Sequence, residues 1–343
     1  MTVTPNRPLT PEMEEYAARA VLSSPVFAFV AGAAGSRETT KGLNRHRWDA
    51  VRLAHQLPAD VARRDLRSRV FGIDSSAPMA VAPMGSLGAV YPDGDLEVAR
   101  ACAVAGIPMV VSTMASSPVE DIAVTGAALV FQLYALRDKH HQRDLVRRAE
   151  AAGCRALVLT IDTPVRHGSA RESSADCEQR APKGHFVEGD ADIDPALTME
   201  EITALVEQTS LPVWIKGVLR PSQAERALRA GACGVIVSNH GGRQSDAAPA
   251  TADVLPAVVD AVAESPVDAG VMVDSGIVTG TDVLRALALG ASGVLVGRHV
   301  AYALAAYGEL GVIMTLTRLR RELDRALACS GSATPADARS LLL

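Results

Sequence analysis

The sequence VSNHGGRQSD at positions 237–246 sets a histidine, two glycines and an arginine close together, directly after the apolar run CGVIV. A histidine has an ordinary pKa close to neutrality, which makes His240 a candidate general base. Arg243 carries a planar guanidinium group that suits a carboxylate. The glycines between them allow the backbone to turn tightly or to approach a flat ligand. This segment therefore predicts chemistry on a proton of a molecule that carries a carboxylate.

Three side chains elsewhere in the chain could complete such a site. Asp162 could pair with His240 and stabilise the protonated imidazole. Lys216 is flanked by apolar residues and could stabilise a developing anion. Tyr134 could donate a hydrogen bond to a substrate oxygen. Each residue alone also has a structural explanation, as part of a turn or an ion pair, so only their convergence on one site would favour chemistry.

Short apolar runs alternate with amphipathic segments from residue 77 onward. There are eight such runs: MAVAP, PMVVS, LVFQLY, ALVLTID, PVWIKG, CGVIVSN, GVMVDSG and GVLVGR. Strands of this kind, each followed by a helix, are typical of parallel sheets covered by helices. Eight units predict an α/β fold, the closed (β/α)8 TIM barrel. The alternative is a doubly wound open sheet, but its glycine-rich fingerprint is missing after the first run.

The predicted organisation is a single domain over residues 1–343. Residues 1–76 are expected to form N-terminal helices that cap the barrel, residues 77–328 the barrel, and residues 163–198 a long loop after the fourth strand. Chemistry in such barrels takes place at the C-terminal ends of the strands, where the candidate residues stand. Gly276, Gly297 and Arg298 follow the last two strands, which is the usual phosphate corner of this fold.

The bulk composition limits the partners. The formal net charge is -5, with acidic and basic residues interspersed, so a nucleic-acid partner is not expected. The five cysteines are scattered and lack zinc-ligand spacing, which predicts no metal site, no disulfide framework and a cytoplasmic location. The polar N-terminus indicates no signal peptide, and prolines and glycines interrupt the one long uncharged segment, so no membrane association is expected. The expected partner is a small-molecule substrate.

The motif SNHGGRQSD resembles SNHGGRQLD of the FMN-dependent L-2-hydroxy acid oxidases and dehydrogenases. That family includes glycolate oxidase, lactate oxidase, mandelate dehydrogenase and hydroxymandelate oxidase. FQLYALRD, LTIDTP, LPVWIKGVL and RALALGASGVLVGR resemble further blocks of the family in its order. The resemblance runs from about residue 26 to the C-terminus. It implies FMN-dependent oxidation of an L-2-hydroxy acid to the 2-oxo acid, with O2 or another electron acceptor, in a homotetramer.

The resemblance also implies roles for individual residues. His240 takes the hydroxyl proton in a hydride mechanism or the α-proton in a carbanion mechanism, and Asp162 pairs with it. Arg243 binds the substrate carboxylate, Tyr134 hydrogen-bonds the substrate, and Lys216 stabilises the reduced flavin. The other flavin-binding positions are Pro83, Met84, Gly85, Ser112, Gln132, Thr160, Ser238, Asp274, Gly276, Gly297 and Arg298.

Several positions depart from the family pattern, among them Ser245, which replaces the usual leucine. Phe29 stands where many members have a substrate-binding tyrosine. Arg171 could supply the second carboxylate-binding arginine only if its loop is re-registered. Val278 replaces an arginine expected at the phosphate, which predicts weaker FMN retention or a compensating contact elsewhere. His299 replaces the proline that usually follows the Gly-Arg pair.

Two functions are consistent with these residues. The first is oxidation of a simple L-2-hydroxy acid, with room for an aryl or bulky side chain beside Met114 and Gly85. The second is an FMN-dependent tailoring oxidase that acts on a larger biosynthetic intermediate. A degenerate, non-enzymatic paralogue is disfavoured because five candidate functional side chains are retained together.

Overall fold

The centre of the computed structural model, which describes residues 9–165, 184–186 and 192–342, is a closed barrel of eight parallel strands. Neighbouring strands around the barrel follow each other in the chain, and the last strand pairs with the first to close it. The predicted (β/α)8 barrel is confirmed. The barrel strands are β3 (Met79–Val81), β4 (Met109–Val111), β5 (Leu129–Tyr134), β6 (Leu157–Thr160), β7 (Val213–Val218), β8 (Gly234–Val237), β9 (Gly270–Val273) and β10 (Gly293–Val296).

Alternation along each strand divides the buried side chains into two sets. One set packs inside the barrel, and the other packs against the surrounding helices. Because both faces are covered, the strands read as continuous apolar runs and show no polar alternation. The interior set consists of Val70, Phe71, Ala80, Val110, Val130, Ala156, Val158, Trp214, Ile236, Met272 and Leu295.

A two-stranded hairpin closes the N-terminal end of the barrel. It is formed by β1 (Ser68–Val70) and β2 (Ile73–Ser75). Phe71 at its turn meets Trp214 edge-on, with ring centroids 5.0 Å apart. A side chain at Gly234 or Gly270 would lie 2.4 Å from the Trp214 ring, so glycine is needed where the indole crosses the barrel. Among the described residues, the N-terminal end of the barrel is therefore filled, which leaves its C-terminal end for a ligand.

Helices surround the strands, and several begin at a residue that caps them. Thr279 and Asp282 form a reciprocal capping box, as do Thr198 and Glu201. The helices are α1 (Pro11–Val21), α2 (Ser24–Ala31), α3 (Thr39–Ala50), α4 (Leu87–Val90), α5 (Gly94–Ala105), α6 (Val119–Ala123), α7 (Lys139–Ala151), α8 (Met199–Gln208), α9 (Pro221–Arg229), α10 (Thr251–Ala263), α11 (Gly280–Ala288) and α12 (Arg298–Ser330). Short 3-10 turns occupy His240–Gly242 and Pro335–Leu341.

The N-terminal segment differs in part from the expectation. Helices α1 to α3 are present, but they end at Ala50, and the hairpin takes up residues 68–75. The hairpin strands are only three residues long, which is too short for a periodic pattern to reveal them.

Helix α12 is the one helix within the described ranges that is long and apolar enough to cross a membrane. About 61% of its most apolar stretch is buried inside the molecule, where it packs against α1, α5 and α11. This burial is typical of a core helix.

Candidate active site

A cavity of about 660 Å³ lies at the C-terminal mouth of the barrel. Its size falls within the usual range for small-molecule and cofactor sites. Its walls come from the ends of the strands and from α1 to α3. The predicted site residues that line it are Phe29, Pro83, Met84, Gly85, Ser112, Tyr134, Lys216, His240, Arg243, Asp274, Gly276, Gly297 and Arg298. The barrel thus brings together most of the residues selected from the sequence.

His240 stands at the start of the 3-10 turn after β8. Its backbone has a φ of 58°, in the left-handed region that non-glycine residues rarely adopt. The backbone N–H of His240 donates to Ser238 Oγ at 3.0 Å, and that of Gly242 donates to the Asn239 side chain at 3.0 Å. The surroundings therefore hold an unfavourable conformation in place, as is common at functional sites.

Asp162 follows β6 and meets the histidine across the mouth, with its Oδ1 3.0 Å from His240 Nδ1. Gly217 in β7 makes this possible, because a side chain there would lie 2.7 Å from the Asp162 Cβ. Burial alone would raise the pKa of Asp162, but the charges of His240 and Lys216 hold this pKa below its ordinary value. The ionised carboxylate accepts from Nδ1, which leaves His240 Nε2 as the nitrogen that can take up a proton.

Lys216 lies in β7 and is only 3% exposed. Its Nζ donates to Ser238 Oγ at 2.9 Å and lies 3.3 Å from Asp274 Oδ2. Burial alone would lower the pKa of Lys216, but the carboxylates of Asp274 and Asp162 hold this pKa above its ordinary value. A fixed positive charge therefore stands in the wall of the cavity.

Arg243 is tied to the N-terminal helices. Its Nη1 donates to the carbonyl oxygens of Phe29 at 2.6 Å and Gly32 at 3.2 Å, and its guanidinium lies 5.1 Å from the centre of the Phe29 ring. Phe29 therefore packs against the arginine and has no hydroxyl to offer a ligand. Tyr134 stands at the end of β5, where its backbone N–H donates to Thr113 Oγ1 at 3.1 Å.

Two predicted flavin contacts lie just behind the cavity wall. Gln132 Oε1 accepts from the backbone N–H of Thr113 at 3.1 Å and from Ser112 Oγ at 3.3 Å. Gln132 Nε2 and Thr160 Oγ1 are buried and have no hydrogen-bond partner in the part of the chain that the structure describes. Buried polar atoms usually have partners, so these two atoms indicate a polar ligand.

The loops after β9 and β10 form the predicted phosphate corner. Arg298 Nη2 donates to the carbonyl oxygens of Gly241 at 2.6 Å and Gly32 at 3.3 Å. Its Nε is buried without a partner among the described residues. Burial and the neighbouring charge of Arg243 lower the pKa of Arg298 to about 10, so the guanidinium stays charged at neutral pH. Arg298 is thus a partly buried cation whose Nε can still donate a hydrogen bond.

Arg45 is a cation at this corner that the sequence did not indicate. It lies in α3, lines the cavity, and donates through Nη1 to the carbonyl oxygen of Gly276 and to Asp282. Its contact with Gly276 spans 231 residues, and no local pattern reveals such a pair. Arg171, the candidate second carboxylate clamp, lies outside the described residues.

The sequence profile of the FMN-dependent dehydrogenases matches residues 18–343. The chain belongs to this family. It is therefore a flavin-dependent oxidoreductase, and the predicted cofactor, FMN, is the cofactor of the family.

Curated members of the family resemble the chain over nearly its full length. The 4-hydroxymandelate oxidase of Amycolatopsis orientalis is 40% identical over 95% of this chain and 96% of its own length. Glycolate oxidase 1 of Oryza sativa subsp. japonica is 38% identical over 94% and 92% of the two chains. A crystal structure of mandelate oxidase with (S)-2-phenylpropionate superposes with a TM-score of 0.90 and 39% identity, covering 97% of each chain.

The residues of the site fit FMN. Its tricyclic ring presents several oxygen and nitrogen acceptors, which match the unpaired donors of Gln132 and Thr160. The ring also has an apolar face, and Pro83 and Met84 supply an apolar wall. Its phosphate requires positive charge, which Arg298 provides at the end of β10.

Proposed function

We propose that this enzyme oxidises an L-2-hydroxy acid to the corresponding 2-oxo acid and that the preferred substrate carries an aryl side chain. The observation that carries the proposal is the hydrogen bond between His240 Nδ1 and Asp162, formed at the same mouth as Lys216 and Arg243. Together these residues provide a base, its orienting acid, a fixed cation and a carboxylate-binding group. Oxidation of a 2-hydroxy acid uses all four of these groups.

The residues divide the work as follows. His240 Nε2 accepts a proton from the substrate, and the Asp162 carboxylate stabilises the imidazolium that results. Arg243 binds the carboxylate of the substrate, and the Tyr134 hydroxyl donates to a substrate oxygen. FMN, when bound, would accept the two electrons and the second hydrogen that the substrate loses. Lys216 keeps a positive charge buried at the wall where negative charge accumulates.

The cofactor positions follow from the same arrangement. Ser112, Gln132 and Thr160 would contact the polar edge of the ring, and Asp274 the ribityl chain. Gly276, Gly297 and Arg298 would surround the phosphate. The backbone of Pro83, Met84 and Gly85 would lie against the ring, with Ser238 beneath Lys216.

The preference for an aryl side chain is supported by the apolar part of the cavity. Phe29 offers a ring where a tyrosine would offer a hydroxyl, and the apolar side chain of Met114 lines the same cavity. Mandelate oxidase and 4-hydroxymandelate oxidase, to which the chain is similar, carry the names of aryl substrates.

Anaerobic reduction of the bound flavin tests this proposal. Mandelate, 4-hydroxymandelate, lactate and glycolate are added separately, and the loss of flavin absorbance is followed by stopped flow. Among the chiral acids, we expect the S enantiomers to reduce the flavin, and we expect the two aryl acids to reduce it fastest. A flavoprotein that none of the four reduces would contradict the proposal.

We further propose that O2 reoxidises the enzyme and that the protein is a cytoplasmic homotetramer. Large apolar side chains stand exposed on α1 and α12, Tyr16 at 72% and Leu310 at 63%, and subunit contacts would cover such groups. The four described cysteines are unpaired, which agrees with a reducing compartment. Peroxide yield, light scattering of the purified protein and cell fractionation test these three points.

A further inference from the structure

His299 is the second residue of α12 and lines the cavity where the loops after β9 and β10 meet. It stands next to Arg298 in the chain, at the N-terminus of α12, which is kinked at Gly308. The first backbone N–H groups of a helix have no partner within it and attract anions. A proline at this position would offer neither a side-chain donor nor a backbone N–H.

A buried carboxylate fixes the His299 ring. Its Nδ1 lies 2.8 Å from Glu14 Oε2, and Glu14 is fully buried. The same carboxylate accepts from Thr315 Oγ1 at 2.7 Å and from Arg318 Nη2 at 3.1 Å. Because Nδ1 is occupied by Glu14, the other ring nitrogen of His299 is the one that can reach a ligand. The edge-on Tyr302 ring, 5.6 Å away between centroids, further limits its rotation.

The other cations near Val278 are already engaged. Arg45 is held by Asp49 and Asp282 and by the carbonyl oxygen of Gly276. Arg318 is held by Glu14 and Glu322 and donates to the carbonyl oxygen of Val278 itself. Its Nε is also unpaired among the described residues, but Arg318 is not part of the cavity wall, whereas Arg298 is. Arg298, with its unpaired Nε, therefore needs a second partner to balance a phosphate dianion, and His299 is beside it.

We propose that His299 binds the FMN phosphate through its Nε2 and backbone N–H and so replaces the arginine that is missing at position 278. Glu14 is its positioning residue, because its buried carboxylate lies 2.8 Å from Nδ1 and fixes the orientation of the ring. The inference rests on FMN being the cofactor. It does not depend on the identity of the substrate.

Comparison of FMN with riboflavin isolates the phosphate contact, because the two ligands differ only there. Apoprotein is prepared from wild type and His299→Ala, and each is titrated with both flavins by fluorescence quenching. We expect the Kd for FMN to rise on the order of 10- to 100-fold in the variant, as for loss of a charge-assisted hydrogen bond. The Kd for riboflavin should change less than about threefold, within the usual effect of a neutral contact.

Two further variants sharpen the result. His46→Ala removes an exposed histidine of α3 and should leave both dissociation constants unchanged. Adding Val278→Arg to His299→Ala places a cation at the position that the family uses and should restore most of the FMN affinity.

An unchanged ratio of the two dissociation constants would overturn the inference, whether neither ligand is weakened or both are weakened equally. Equal weakening would indicate a role in folding alone. A wild-type apoprotein that binds neither flavin would overturn the cofactor assignment as well, and so would be distinguished from failure of His299 alone.

Discussion

At the scale of single residues, the candidate base depends on one hydrogen bond and one unusual backbone conformation. His240 could be selected from the sequence because its residue type and its place after an apolar run are both visible there. Its pairing with Asp162, 78 positions away, could be expected once the barrel was predicted. The positive φ of His240 could not be expected, because only a few per cent of non-glycine residues adopt that region, even though histidine is enriched among them.

Replacing His240 with alanine tests its role as the base. We expect His240→Ala to slow anaerobic flavin reduction about 10²- to 10⁴-fold, since a positioned general base contributes on that order. Flavin content, measured by absorbance after denaturation, should stay at the wild-type level. Reduction at the parental rate would remove His240 from the mechanism.

The Arg243→Lys substitution separates charge from geometry. Lysine keeps the positive charge but loses the planar pair of donors, so we expect KM to rise on the order of tenfold or more while kcat changes less. Steady-state kinetics with (S)-mandelate give both constants. An effect confined to kcat would contradict a carboxylate-binding role.

At the scale of secondary-structure elements, the strands and the longer helices followed from the periodicity of the sequence, whereas the elements that tie them together did not. The hairpin β1–β2 is too short to detect, and Arg45 reaches Asp282 and Gly276 across 237 and 231 residues. Long-range side-chain pairs of this kind leave no periodic signal.

A buried acid at the start of α5 makes the stability of this element depend on pH. Asp95 accepts the backbone N–H of Ser116 at 2.8 Å through Oδ2, while its Oδ1 has no partner within the described ranges. Burial raises the pKa of Asp95 from 3.8 to about 7, so the folded state binds a proton that the unfolded state releases. This contribution to stability is complete below about pH 4 and is lost as the pH rises to 7.

Asp95→Asn should therefore stabilise the protein at neutral pH relative to wild type. Asparagine keeps the acceptor for the Ser116 N–H but has no charge to bury. We therefore expect the Tm of the variant, relative to that of wild type, to increase by a few degrees between pH 4.5 and pH 7.5, at about 2–4 °C per kcal/mol. Differential scanning calorimetry gives both values. The exposed neighbour Asp93, changed to asparagine, should show no such trend, and a pH-independent difference for Asp95→Asn would refute the explanation.

At the scale of the whole molecule, the fold and the shared mouth could be predicted from eight apolar runs, because in a (β/α)8 barrel the ends of all strands meet at one rim. The detailed side-chain arrangement at the phosphate corner could not be predicted from the sequence. It depends on α1, α3 and α12 packing together, and the pairs Glu14–His299 and Arg45–Asp282 are results of that packing.

Because FMN would contact all sides of the mouth, its binding should stabilise the entire barrel. We expect the Tm of apoprotein to rise with FMN concentration, with about 2.7 kcal/mol of added stability at 100 times the Kd. Thermal shift measurements over a series of FMN concentrations check this. AMP, a phosphate ligand without the flavin ring, serves as the control, and a Tm that FMN leaves unchanged would contradict binding to the folded barrel.

The packing of Phe71 on Trp214 has a kinetic consequence. Because these rings close the N-terminal end of the barrel, the incoming hydroxy acid and the departing 2-oxo acid use the same opening at the C-terminal mouth. Each turnover then has to clear this passage before the next molecule can enter. Accumulated 2-oxo acid should therefore block entry of the hydroxy acid and inhibit competitively with respect to it.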